Sequence, residues 1–202
     1  MNAPRNKRSL LAVILVLLAL LTVTGAAGAS GGSEAAAPVD SLDSPVESGR
    51  GFSNTFHYKY VAGATLSPRD SSSGWDYSGV GCVSRASGSE LFNIHLGLPD
   101  GSRIDYLRIY YYDTSASSST AWVTSYNSTG GFSDITSVSS AGTGGYGTQL
   151  SSYVGHVVNN ASSSYVLNWS PAQNGSSMRL CGLRVAYRTP TRDLFMPLIT
   201  KG

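Results

Sequence analysis

Residues 104–113 read IDYLRIYYYD, and the order of these side chains decides what kind of fold the chain can build. In an extended backbone successive side chains point to opposite faces. Leu107, Ile109 and Tyr111 therefore share one face, and Tyr106, Tyr110 and Tyr112 share the other. β-formers fill most of the positions, so the segment is the strongest strand signal in the chain. In one layer of a sandwich, one face packs on the core and the other lies outside. A set of tyrosines is thereby placed at the surface.

Just upstream, ELFNIHLGL (90–98) alternates in the same way, with Phe92, Ile94, Leu96 and Leu98 on the face to be buried and Leu91, Asn93 and His95 opposite. Pro99-Asp100-Gly101 follows and reads as a chain reversal, with proline at the first corner and a glycine that tolerates positive φ. Further strand patterns cover 56–61, 121–126, 135–138, 156–158, 165–169 and 178–187. Ser/Gly/Asn-rich loops separate them at 113–120, 127–134, 139–147, 159–164 and 171–177. No segment shows a convincing amphipathic helix. The pattern predicts an all-β chain, an antiparallel, jelly-roll-like β-sandwich forming a single domain over 51–188.

The final strand places Cys181, Leu183, Val185 and Tyr187 on one face, with Arg179 and Arg184 toward solvent. On that reading Cys181 points inward and meets Cys82, which sits in GVGCV 99 residues earlier. In an oxidising compartment the two form one disulfide closing most of the domain, typically worth about 2–4 kcal/mol.

Export is predicted from residues 1–29. A basic tip (Arg5, Lys7, Arg8), an apolar run from Leu10 to Val23 and the small residues Ala27-Gly28-Ala29 form the order of a secretory signal peptide, cut near Ser30. The apolar run falls short of the ~20 residues that span a bilayer. Residues 30–50 are small, acidic and proline-containing and read as a flexible spacer. Residues 189–202 form a C-terminal tail that Pro190 separates from the last strand, ending in Leu194, Phe195, Met196, Leu198 and Ile199. The expected location is secreted, extracellular or at the cell surface.

Charged residues make up 13% of the chain, against about 25% in ordinary soluble domains. The net charge of +2 falls to −1 once Arg5, Lys7 and Arg8 of the leader are set aside. No basic footprint for nucleic acid and no polybasic membrane patch follows from such numbers. Export also argues against nucleotide-cofactor chemistry. The three histidines, His57, His95 and His156, form no metal-ligand motif, so neither a metal nor a cofactor is expected. Gly28-Ala29-Ser30-Gly31-Gly32 matches the G-x-S-x-G string of serine hydrolases, but it straddles the cleavage site and lacks a strand-turn-helix setting.

Glycoside hydrolysis usually takes two carboxylates flanking the bond. Glu90 is the only glutamate in 51–188, and Asp70, Asp76, Asp100, Asp105, Asp113 and Asp134 are its available partners. An extracellular polysaccharide hydrolase is accordingly the alternative reading, and it requires Glu90 to face an aspartate in a cleft. The loop from Asp70 to Asp76 offers oxygen ligands for a hard cation, without EF-hand spacing. The four sequons at Asn127, Asn160, Asn168 and Asn174 read as loop composition in a Ser/Thr-rich chain.

The aromatic surplus carries the most functional content. Tyr106, Tyr110 and Tyr112, with Trp75 in its Ser/Gly loop, are the candidate binding residues, because exposed rings stack on sugars or anchor protein interfaces. Trp122 and Trp169 fall on strand patterns and read as core.

LPDGSRIDYLRIYYYDTS (98–115), SSYVLNWSP (163–171) and MRLCGLRVAY (178–187) resemble secreted bacterial β-sandwich proteins to which no activity is assigned. The tail LFMPLITK (194–201) is similar to endings found on other exported proteins of such bacteria. The resemblance spans roughly 56–199 and implies fold and export. The function expected is an exported, non-catalytic binding or structural module. Its partner is a glycan or a cell-surface protein, with no nucleic acid and no membrane after cleavage.

Overall fold

The structure, a computed structural model, describes residues 51–191 apart from Thr143. The predicted signal peptide with its G-x-S-x-G string, the spacer and the tail beyond Thr191 lie outside the described residues. Twelve strands follow in order: β1 (His57–Ala62), β2 (Ser67–Pro68), β3 (Trp75–Tyr77), β4 (Val83–Arg85), β5 (Phe92–His95) and β6 (Arg103–Asp113), then β7 (Thr120–Asn127), β8 (Phe132–Ser139), β9 (Gly145–Leu150), β10 (His156–Val157), β11 (Ser163–Ser170) and β12 (Met178–Arg188). A single 3₁₀ turn, Gly63–Thr65, is the only helical piece among the described residues.

The first sheet runs β10-β6-β12-β4-β3, with β9 continuing along β6 and β1 along β12; the second runs β2-β5-β11-β7-β8. Every pairing is antiparallel. The central strands stack as β4-β12-β6-β9 over β5-β11-β7-β8, the strand order of a jelly roll.

Alternation sorts the side chains as expected. Leu107, Ile109 and Tyr111 of β6 are buried, with Leu180, Leu183 and Val185 beside them on β12. Tyr165, Leu167 and Trp169 of β11, Val123 of β7 and Phe92 of β5 complete a single core drawn from both sheets. The rings of Phe92 and Trp169 meet at 5.3 Å. Each large apolar side chain buried this way stabilises the fold by roughly 1.5–3 kcal/mol. Trp122 departs from its expected core position and is half-buried on the outer side of the second sheet, opposite Asn168 and Ser137.

Other expectations are corrected at points where strict alternation breaks. Leu180 and Leu183 are both fully buried although three residues apart, because the β12–β6 register shifts between Leu180 and Gly182. Cys181 sits in that bulge, half-buried and outside the core cluster, so it does not face inward. The disulfide to the buried Cys82 nevertheless forms, tying the lead into β4 to β12. At the reversal before β6, the amide of Ser102 donates to the carbonyl of Pro99 at 3.2 Å, so Asp100 and Gly101 form the corners and Pro99 precedes them. Gly101 takes φ 70°, which explains the glycine.

β9 starts inside a stretch read as a loop. Gly145 and Gly147 erase its alternation, and the strand exists because the edge of β6 pairs with it. A Cβ on Gly147 would lie 2.7 Å from the Tyr111 hydroxyl, so the glycine makes room for that ring.

Candidate functional site: a tyrosine and arginine face

The outer side of the first sheet is built in rows across four strands. Register aligns Tyr58, Ala186 and Tyr106 across β1, β12 and β6. The next row is Tyr60, Arg184, Arg108 and Leu150; then come Ala62, Gly182, Tyr110 and Thr148. Arg179, Tyr112 and Tyr146 form the last. Two small residues at the centre, Ala186 and Gly182, let the rings lie low against the backbone. A Cβ on Gly182 would come within 2.3 Å of the Tyr60 hydroxyl, which donates to the carbonyl of Cys181 at 3.3 Å.

The rings meet edge-on. Tyr60 and Tyr110 have centroids 5.7 Å apart, Tyr112 and Tyr146 5.0 Å, and Tyr106 and Tyr153 5.8 Å. Such pairs are worth about 0.5–1.5 kcal/mol beyond area. Arginines fill the gaps: Arg184 lies 4.8 Å over Tyr58 and 5.7 Å from Tyr110, Arg179 4.7 Å over Tyr112, and Arg188 4.2 Å over Phe56. Each cation–π contact adds about 0.5–1 kcal/mol at an exposed site. Tyr58, Tyr60 and Tyr146 still expose 56%, 54% and 67% of their surface, whereas Tyr106, Tyr110 and Tyr112, expected at the open surface, are half-buried because the neighbouring rings and arginines lie against them.

One carboxylate lies beneath this face. Asp105 is buried and receives Arg103 Nε at 2.6 Å, and its other oxygen lies 3.0 Å from Arg188 Nε. The hydrogen bond from Arg103 to Asp105 raises the pKa of that guanidinium. Arg108, Arg179 and Arg184 have no carboxylate partner among the described residues.

Tyr106, Tyr110 and Tyr112 are thus brought together, whereas Trp75 is elsewhere. It sits on β3 with β12 and β4 between it and β6, and it lines a hollow of about 480 Å³ with Pro68, Arg69 and Asp70. The sequence reading missed Tyr58, Tyr60, Tyr146, Tyr153, Arg108 and Arg184 as members of the face. HYKYVA alternates visibly, and Arg184 was assigned to solvent. Tyr146 gave no signal, because it stands between two glycines.

Most of the other carboxylates are engaged locally. Arg69 holds Glu90 through two contacts, 2.9 and 3.3 Å. Asp70 accepts from the amide of Ser72 at 2.7 Å and from its hydroxyl, which together lower the pKa of its carboxyl. Asp113 is buried and accepts from Ser140 at 2.6 Å and the Ser115 amide at 3.0 Å. Among the described residues no three His, Cys, Asp or Glu side chains gather as a metal site. His95 is exposed, His57 stacks on Tyr187, and His156 contacts the Tyr165 hydroxyl at 3.1 Å. Burial pushes the His156 imidazole below its ordinary pKa. Of the sequons, Asn168 is buried and Asn127 caps its own turn by accepting from Thr129 and Gly131. Among the described residues no helix is long and apolar enough to cross a membrane.

No protein-family model matches the chain, and no curated protein matches it. Among solved structures it is similar to the isomalto-dextranase of Arthrobacter globiformis T6 complexed with panose, at 18% identity and TM-score 0.42, over 63% of this chain and 23% of that one. A carbohydrate-binding module, CBM36, in complex with calcium and xylotriose matches at 8% identity and TM-score 0.39, over 66% of this chain and 99% of the module. The exo-β-1,3-galactanase of Phanerochaete chrysosporium with galactose matches at 14% and 0.40, over 64% of this chain and 29% of the enzyme.

Proposed function

We propose that the protein is an exported, non-catalytic binding module and that its ligand is a glycan held on the outer face of the first sheet. The observation that carries this reading is the set of tyrosine rings on that face, more than half exposed at Tyr58, Tyr60 and Tyr146, pre-oriented by edge contacts and by stacked arginines. Rings fixed in this way lose little conformational freedom when a ligand arrives. Tyr106 to Tyr112 spans about 20 Å at roughly 3.3 Å per residue, so the strip suits an oligomer better than a single sugar. The disulfide between Cys82 and Cys181 is compatible with an oxidising compartment.

The test is a glycan array probed with the full chain, followed by Tyr58→Ala, Tyr60→Ala and Tyr110→Ala. Loss of about thirtyfold in affinity per anchoring ring, equivalent to about 2 kcal/mol, is expected without loss of folding. Binding that survives all three changes removes this face from consideration. Turnover of a bound polysaccharide that stops in Glu90→Gln would instead establish a hydrolase.

A further inference from the structure

Arg184 and Arg108 stand directly opposite each other on β12 and β6, in the middle of the tyrosine rows. Like charges facing across adjacent strands repel and destabilise the sheet. A carboxylate between them would relieve this, yet the ion pairs among the described residues are Arg69–Glu90, Arg103–Asp105 and Arg188–Asp105. Arg108 donates one long hydrogen bond, 3.3 Å to Thr148, and its buried Nε has no acceptor. Arg184 lies against the rings of Tyr58 and Tyr110, and no carboxylate among the described residues pairs with it. Arg179 adds a third cation over Tyr112. The whole chain carries only +2, so this concentration of charge is a matter of placement.

We propose that the ligand is a polysaccharide bearing carboxylates, one of which bridges Arg184 and Arg108 while sugar rings lie against Tyr58, Tyr60 and Tyr110. The inference rests on the glycan reading of the face and names its ligand class. A planar guanidinium matches a carboxylate through two parallel hydrogen bonds, and stacking on a ring fixes the fork in advance. Tyrosine and arginine are common at protein interfaces too, but those interfaces close around an apolar centre, whereas here the centre is an arginine pair and Leu150 is the one exposed aliphatic side chain in the rows.

Affinity electrophoresis of the full chain through polygalacturonate, through the same polymer with its carboxyls reduced to alcohols, and through single-stranded DNA tests the proposal. Expected is retardation at least tenfold stronger by polygalacturonate than by the reduced polymer, weakened by salt. Arg184→Gln and Arg108→Gln should make the two polymers equivalent, and Arg184→Lys should restore only part of the preference, with unchanged melting temperature confirming that each variant is folded. Equal retention of both polymers by the unaltered protein overturns the carboxylate inference and leaves glycan binding standing. Retention by DNA as strong as by polygalacturonate, with none by the reduced polymer, overturns both, since charge alone would then explain binding. Absence of retention by either polymer overturns the proposal as well.

Discussion

The outward residues of the central strands differ sharply between the two sheets. On the first they are Tyr106, Arg108, Tyr110 and Tyr112 of β6 with Arg179 and Arg184 of β12; on the second, Trp122 and Thr124 of β7 lie beside Val166 and Asn168 of β11. The second face satisfies its polar groups internally. Asn168 donates to Thr124 at 2.9 Å, and Thr124 donates to Asp134 at 2.6 Å. Both Asn168 and Thr124 are buried, and these hydrogen bonds offset the cost of taking them out of water. On the first face Arg179 donates to the Ser176 carbonyl at 2.7 Å and Arg108 to Thr148 at 3.3 Å, but no carboxylate among the described residues meets Arg108, Arg179 or Arg184. A closed hydrogen-bond chain stabilises its own sheet, whereas open cations between exposed rings stabilise little until an anion arrives.

The largest expected effect tests whether the two faces share one foundation. Trp169→Ala, beneath the second face, should cost about 3–5 kcal/mol and lower the stability of both sheets in one transition, read from a urea curve followed by two spectroscopic probes. Separated transitions would mean that each sheet stands on its own core.

Removal of the disulfide by Cys82→Ser with Cys181→Ser should cost about 2–4 kcal/mol, seen as a lower melting temperature that reductant no longer shifts. Two alkylatable thiols in the unreduced native protein would contradict the bond.

A direct comparison of the faces comes next. Asn168→Ala leaves the Thr124–Asp134 pair partly unsatisfied in a buried setting and should cost about 1–3 kcal/mol. Arg184→Gln relieves a like-charge pair and should change stability by under about 0.5 kcal/mol in either direction. Comparable losses in the two variants would mean that the two faces do not differ in this way.

The smallest effect is a pH dependence seated at His156. Its Nε2 lies 3.1 Å from the Tyr165 hydroxyl, which accepts from the Asn159 amide at 3.0 Å. Because burial holds the folded pKa below the unfolded value near 6.5, the unfolded chain takes up the proton first as pH falls. This contribution to stability is complete above about pH 6.5 and declines below it. Urea midpoints at pH 7.5 and 5 should converge in His156→Gln relative to the unaltered protein. An identical decline in both would assign the effect to other groups.

Local alternation made much of this molecule legible. IDYLRIYYYD separated Tyr111 from Tyr110 and Tyr112, ELFNIHLGL identified Phe92, Leu96 and Leu98 as core, and both outcomes depend only on the two-residue period of an extended chain. Strand pairing involves residues far apart in sequence, and there the reading ended. That Tyr58 and Tyr60 join Tyr106 and Tyr110 required β1 to pair with β12, 120 to 130 residues along the chain, and β12 with β6, 65 to 85 residues away. The bulge at Cys181 follows from the fit of two strands, which no period within one strand reveals. β9 formed from a glycine-rich stretch because an open edge of β6 stood beside it. The chain alone determined which side chains share a face; only the assembled sheets decided that tyrosines from β1, β6 and β9 would surround an arginine pair, because register brings distant residues together.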